Sequence, residues 1–202
     1  ESCHPDFSEG QLVETTRGWQ DYCICGPDEL IARDNRRPPQ HLLGILGSSA
    51  LAAYFGLLHV GRPRAGETLL ISAAAGGVGS VVAQLGKIAG CGVIGVAGGA
   101  AKCAWLIDEI GIDRAVDYKS DRFASDLADS HTDGFDIFFD NTGGFVFETA
   151  LAQMRNHGRI VCCGNTAMYD TSLPDHGPRG VPLALILKSL TMTGFVQMSF
   201  QS

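Results

Sequence analysis

The chain has 202 residues, 45% of them apolar, and a formal charge of −7; that is ample for a packed core, and its 26 glycines, against an average of roughly 7%, point to many tight turns and close backbone approaches. The acidic balance repels nucleic acid and anionic membrane, no Lys/Arg cluster reverses it locally, and the longest apolar stretches are broken by glycine, lysine or proline well short of a membrane span. Seven scattered cysteines (Cys3, Cys23, Cys25, Cys91, Cys103, Cys162 and Cys163) include no C-x-x-C pair, so they give no zinc-knuckle signature and suit the reduced thiols of a cytoplasmic protein.

Glu1 to Asp28 holds short alternating runs, Gln11-Leu-Val-Glu and Trp19-Gln-Asp-Tyr-Cys-Ile-Cys, which predict β-strands. So few strand residues cannot bury a core alone, so a partial β segment and a chain that is a fragment are expected. Arg36-Arg37-Pro38-Pro39 marks a boundary, which divides the chain at about 1–40 and 41–202. His41 to Val60 then repeats apolar residues at helical spacing, with Ser48 and Ser49 as N-cap candidates and Gly61 as the stop. Beyond it the signals alternate. Strands are predicted over Thr68–Ser72, Gly92–Val96, Ala115–Tyr118, Asp136–Asp140, Arg159–Cys163 and Thr191–Val196. Helices are predicted over Val78–Ile88, Ala101–Ile110, Arg122–Ala128, Phe145–Met154 and Val181–Leu190. Strands apolar on both faces and separated by helices indicate a doubly wound α/β fold with a six-stranded parallel sheet, whose ligands bind beyond the carboxyl ends of the strands.

That rule selects the site residues. After the first of these strands, Ser72-Ala-Ala-Ala-Gly-Gly-Val-Gly-Ser80 turns through glycines into a helix, bringing backbone N–H groups and the positive end of the helix dipole to one point that suits a diphosphate. In the G-x-G-x-x-G dinucleotide pattern its places read Ala74, Gly76 and Gly79, so the first glycine is missing; an ordinary βα turn is the rival reading. The second strand ends Val96-Ala-Gly-Gly-Ala-Ala-Lys102. With Gly98 and Gly99 where an NAD enzyme places a carboxylate, Lys102 could neutralise a 2′-phosphate, which favours NADP over NAD; alternatively Lys102 is a solvated helix residue. Tyr118-Lys119 could lie over the adenine or donate to the same phosphate. Asn141 in Asp140-Asn-Thr-Gly-Gly144 offers donor and acceptor beside a close backbone path, with a plain turn as the rival. Gly164 ends the fifth strand where the ribose or nicotinamide should pass. Cys162 and Cys163 read as small core residues, and His157 in Asn-His-Gly as a turn residue.

Together with Gly18-Trp-Gln-Asp-Tyr22, Ala53-Tyr-Phe-Gly-Leu57, Ala73-Ala-Ala-Gly-Gly-Val-Gly-Ser80, Phe139-Asp-Asn-Thr-Gly-Gly144, Gly158-Arg-Ile-Val-Cys-Cys-Gly164 and Met192-Thr-Gly-Phe195, these motifs resemble the zinc-independent medium-chain dehydrogenase/reductases. The branch they resemble is that of NADP-dependent alkenal, prostaglandin/leukotriene and curcumin-reductase-like oxidoreductases, shortened at both ends. The resemblance implies a GroES-like remnant before a Rossmann domain, with no metal. It also implies a homodimer through the last strands of the sheet, and hydride transfer from NADPH to the β-carbon of an α,β-unsaturated ketone or aldehyde. Its cofactor positions fall on Gly76, Gly77, Val78, Gly79, Lys102, Tyr118, Asn141 and Gly164, with Gly98 in the same stretch, and Tyr169 matches a tyrosine bordering the nicotinamide as the candidate catalytic residue. Two places depart from the family: Ala52 stands where relatives have threonine, and Phe200 stands nearest to a tyrosine beside the substrate. The expected behaviour of this chain is NADPH binding with poor alkene reduction. Rival functions are a quinone oxidoreductase of the same superfamily, a non-catalytic NADP-binding module, and a methyltransferase, against which Gly98-Gly99 argue.

Overall fold

The computed structural model describes residues 1–36, 38–169 and 178–200, so Arg37 of the boundary motif lies outside the described residues. The chain forms two compact units, Glu1–Leu43 and Gly44–Ser202.

In the first unit β1 (Val13–Glu14) pairs antiparallel with β2 (Ile31–Ala32). Arg33 ties the pair: its backbone N–H donates to the Leu12 carbonyl at 2.9 Å, and its guanidinium meets the Glu14 carboxylate at 2.8 Å. A single turn at Pro27–Glu29 precedes β2, and the four-residue α1 (Gln40–Leu43) ends the unit. The strand expected at Trp19–Cys25 does not form. Alternation only favours a strand that finds a partner, and residues 19–25 make no backbone–backbone hydrogen bond among the described residues. Trp19, Tyr22 and Ile24 expose nearly all of their surface. The partner of β1 is instead Ile31–Ala32, two residues too short to carry a periodic signal.

The second unit opens with α2 (Ser48–Tyr54), which runs on as a seven-residue π-helical stretch, Phe55–Gly61. The helix expected from His41 to Val60 is therefore interrupted between Leu43 and Ser48, where Gly44 and Gly47 intervene. Gly47 is its N-cap and no side chain caps it, so the cap role expected of Ser48 and Ser49 is corrected: both lie inside the first turn. Then follow β3 (Thr68–Ile71), α3 (Gly77–Ile88), β4 (Gly92–Ala97), α4 (Ala100–Asp108), β5 (Arg114–Asp117), α5 (Phe123–Ser130), β6 (Phe135–Asp140), α6 (Gly144–Ala152), β7 (Met154–Cys162), α7 (Val181–Lys188) and β8 (Thr191–Gly194). The six strands β3 to β8 form one parallel sheet in the order β5-β4-β3-β6-β7-β8.

Successive residues of a strand point to opposite faces, and here both faces are apolar. Leu69, Ile71, Ile137 and Phe139 pack with Ala53, Leu57, Val82, Ala83 and Leu106 from α2, its π-helical extension, α3 and α4. Leu70, Phe138 and Ile160 pack with Leu127, Phe147 and Leu151 from α5 and α6. The sheet is thus covered on both sides, as a doubly wound fold requires. β7 begins five residues before the expected Arg159, because Phe135 pairs with Met154 and Ile137 with Arg159. The surplus residues form an irregularity in which His157 takes φ 64°, so the expected turn at His157 is a bulge inside the strand. Strand order reverses between β3 and β6, which places a crevice over their carboxyl ends. Among the described residues no helix is long and apolar enough to cross a membrane.

Candidate functional site

The turn after β3 is stitched to both neighbouring strands. Ser72 donates its N–H to the Phe139 carbonyl at 3.1 Å, and Ala74 to the Val96 carbonyl at 2.9 Å. Ala73 takes φ 47° and accepts from the Gly76 N–H at 2.9 Å. Gly76 then caps α3 from extended backbone, and the first helical bond is that of Ser80 to the Gly76 carbonyl. The N–H groups of Gly77, Val78 and Gly79 therefore have no acceptor among the described residues. Three donors and the positive end of a 12-residue helix converge on one place, which can hold an anion. Gly79 allows the helix this close to the strand: a Cβ there would overlap the Ala73 carbonyl and stand 2.7 Å from Ala74 Cα.

Beside this helix end lies a cleft of about 380 Å³ over the tips of β4, β5 and β6. It brings together Gly76, Gly98, Lys102 and Tyr118, and adds Lys119, Thr142, Gly143, Phe145, Thr166 and Ala167. No carboxylate is among its lining residues, and the Lys102 side chain makes no hydrogen bond or ion pair among the described residues. The Tyr118 ring lies against Gly98, where a Cβ would come within 2.9 Å of Cε1, and meets the Phe145 ring edge-on at 6.1 Å. Asp117 fixes this wall by accepting the N–H groups of Gly99 and Lys119, each at 2.9 Å. These two bonds, Gly99 first, hold its carboxyl below the usual range. Phe145 was legible only as a helix start; an exposed aromatic directly after Gly143-Gly144 was the available signal.

The remaining candidates lie deeper or further out. Asn141 is buried; its backbone N–H donates to Ser72 Oγ and its Nδ2 to the Ser72 carbonyl, both at 2.8 Å, so it joins β6 to β3. Asp140 accepts from Ser72 Oγ at 2.7 Å, from the Thr142 N–H and hydroxyl, and from the Gly143 N–H. This buried carboxylate was not singled out from sequence, where it read only as a strand terminus. At Gly164 a Cβ would stand 2.8 Å from the Asn141 carbonyl oxygen, so the chain after β7 passes close to that after β6. Tyr169, 71% exposed, follows the short turn Thr166–Met168 and does not line the cleft.

On the opposite side of the α3 terminus, Val78 lines a second cavity of about 280 Å³ with Ser48, Ser49, Ala52, Cys163, Phe195 and Gln197. Gln197 Nε2 donates to Ser48 Oγ at 2.5 Å, and its Oε1 is buried without a partner among the described residues. Ala52 gives this cavity no hydroxyl, and Phe200 stacks on Phe55 at 4.8 Å. Burial first, and then the Asp140 charge, push the Cys162 and Cys163 thiols up to about 11. An unfolded thiol ionises near about 8.5, so the folded state holds these protons more tightly. The stability this contributes is full below that pH and is lost as pH rises towards 11. Urea unfolding at neutral and alkaline pH should show that loss, reduced in a Cys162→Ser/Cys163→Ser variant. At mildly alkaline pH iodoacetamide should label Cys3 well before either. Among the described residues no three His, Cys, Asp or Glu side chains cluster as a metal requires.

Comparison with known proteins shows the family. A family model described as zinc-binding dehydrogenase matches residues 77–202. NADPH-dependent curcumin reductase of Escherichia coli (strain K12) is 40% identical over 200 residues, which are 97% of this chain and 58% of that protein. Prostaglandin reductase 1 of Bos taurus is 38% identical over 206 residues, 100% of this chain and 62% of its own length. The crystal structure of CurA from Vibrio vulnificus in complex with NADPH superposes with a TM-score of 0.86 at 40% identity, covering 96% of this chain and 59% of that one. The chain thus spans about three-fifths of the length of these relatives.

Proposed function

The chain belongs to the zinc-binding dehydrogenase family, and on that premise we propose that it is the NADP(H)-binding part of an oxidoreductase that reduces the C=C bond of α,β-unsaturated ketones and aldehydes. One observation carries the reading: three amide N–H groups at the α3 terminus, without an acceptor among the described residues, stand beside a cleft that Gly76 lines and that holds two lysines and no carboxylate. The diphosphate lies on the amides of Gly77, Val78 and Gly79. Lys102, with Lys119 nearby, neutralises the 2′-phosphate, and Tyr118 with Phe145 flanks the adenine. The nicotinamide end would pass Val78 and Gly164 towards the cavity of Ala52, Cys163 and Phe195, with Tyr169 bordering the nicotinamide. The bound cofactor supplies hydride to the β-carbon, after which the α-carbon is protonated. The described residues offer no ligand set for zinc. The names of the relatives, NADPH-dependent curcumin reductase among them, support the same substrate class.

The homodimer belongs to this proposal. All four residues of β8 are exposed on the edge of the sheet, and Leu183, Ile186 and Leu187 of α7 are exposed as well; a second copy paired along this edge would cover them. A cytoplasmic location fits the seven free cysteines.

Fluorescence titration with NADPH and NADH tests the cofactor reading. The chain should prefer NADPH, and Lys102→Ala should weaken NADPH by about tenfold or more while leaving NADH unchanged, since a charge-assisted hydrogen bond contributes about 1.5–3 kcal/mol. Equal affinity for the two cofactors in the unaltered chain would overturn it. Following NADPH consumption with enones and with quinones decides between the alkene reductase and its quinone-reducing rival; consumption with neither leaves the NADP-binding module.

A further inference from the structure

We propose that Cys23 and Cys25 form a dithiol modification site, closed into an intrachain disulfide by low-molecular-weight disulfides such as oxidised glutathione. The two sulfurs are 3.5 Å apart, and Thr15 Oγ1 lies 3.7 Å from Cys25 Sγ. One residue separates the cysteines, so an extended backbone turns both side chains to the same side. Cys23 is exposed and Cys25 half-buried, so a reagent can reach them. Residues 19–25 make no backbone–backbone hydrogen bond among the described residues; the segment can shift to close the remaining gap to a bonded separation of about 2.05 Å. A hollow of about 490 Å³ lined by Arg17, Gln20, Tyr22, Cys23 and Ile24 adjoins the pair. It has room for one tripeptide arm of oxidised glutathione, and Arg17 brings a cation to its wall, paired with Glu29 at 2.5 Å.

Cys25 attacks first. Its sulfur has two potential donors beside it, the Cys23 thiol and the Thr15 hydroxyl, while the Cys23 thiol is held above its usual range, first by the hydrogen bond with Cys25. The Cys25 thiolate displaces one glutathione thiolate from glutathione disulfide, forming a mixed disulfide. The Cys23 thiolate then attacks the Cys25 sulfur and releases the second glutathione. The two cysteines lose two electrons and two protons, and the reagent gains them as two thiols. Sulfurs joined within one loop meet at an effective concentration of order mM, so ring closure outruns addition of a second glutathione when the reagent is well below mM.

Mass spectrometry after trypsin tests this directly, because cleavage after Arg17 and Arg33 puts Cys23 and Cys25 together on Gly18–Arg33 and leaves Cys3 on another peptide. The reduced chain is held in graded mixtures of oxidised and reduced glutathione, all well below mM, acid-quenched and alkylated. The expected product is Gly18–Arg33 lighter by two hydrogens and unalkylated, with the mixed disulfide below about a tenth of the peptide, given the effective concentration above. In Cys23→Ser the same peptide should instead accumulate one glutathione on Cys25. Two alkyl groups, two glutathiones, or a disulfide to Cys3 or to a second copy would overturn the proposal.

Discussion

Gly79→Ala should destabilise the Gly44–Ser202 unit by about 3 kcal/mol or more and abolish NADPH binding, whereas Gly76→Ala should leave stability within about 1 kcal/mol of the parent and act on binding alone. The difference lies in what each new Cβ meets. At Gly79 it would overlap the Ala73 carbonyl and come within 2.7 Å of Ala74 Cα and 2.9 Å of the Ala73 carbonyl carbon. All of these are backbone atoms. They cannot yield, because Ala74 is bonded to Val96 of β4 and Ala73 accepts from Gly76. The helix would have to lift instead, pulling Val82 and Ala83, both fully buried, from the sheet and carrying the three unpartnered N–H groups away from the cleft. At Gly76 the nearest atom is the Ala73 oxygen at 3.1 Å, and its φ of −85° suits alanine. The new methyl group would stand in the cleft that Gly76 lines, where the diphosphate should lie. Urea unfolding and NADPH fluorescence on both variants check the pair, and a Gly79→Ala chain as stable as the parent would contradict the close-packing account.

Five of the six strands, β3 to β7, were legible because each carries apolar residues on both faces, a signal that does not depend on any distant part of the chain. Thr68–Ile71 and Gly92–Ala97 pair in the register a parallel sheet requires, and the ends of most of the expected elements fall within two residues of those observed. Elements that depend on a partner were not legible. Trp19–Cys25 alternates like a strand yet pairs with nothing among the described residues, while Ile31–Ala32 pairs with β1 without any pattern of its own. The wide helical stretch Phe55–Gly61 also packs against distant parts of the chain: a Cβ at Gly56 would overlap the Phe195 ring and stand 2.8 Å from Phe139, contacts more than eighty residues away in sequence. The same limit applied at the site. Glycines and Lys102 can be read from spacing along one strand and helix, but the aromatic wall of Tyr118 and Phe145 arises from two separate elements. Asn141 looked like a free donor and acceptor because its bonds to Ser72 lie across the switch point, 69 residues back in the chain.

Asp140→Ala should cost about 3–5 kcal/mol, and Asp140→Asn about 1–3 kcal/mol. The carboxylate is 3% exposed and has no ion-pair partner among the described residues, so hydrogen bonds alone compensate its burial. Ser72 Oγ donates to it at 2.7 Å, the Thr142 N–H and hydroxyl at 3.0 and 3.1 Å, and the Gly143 N–H at 3.0 Å. Ser72 Oγ in turn accepts the Asn141 N–H, so one carboxylate orders the carboxyl ends of β3 and β6 on both sides of the crevice. Alanine would strand these donors in the interior; asparagine keeps the shape but points an NH2 group at one of them. A second readout separates loss of charge from loss of fold. The Asp140 charge is the second cause, after burial, holding the Cys162 and Cys163 thiols up at about 11. A folded Asp140→Asn chain should therefore alkylate faster at both cysteines while Cys3, exposed and far along the chain, reacts as before. Unchanged rates at Cys162 and Cys163 in a folded variant would show that the carboxylate does not act on them, and an unchanged urea midpoint in Asp140→Ala would show that the crevice is held by something other than this buried charge.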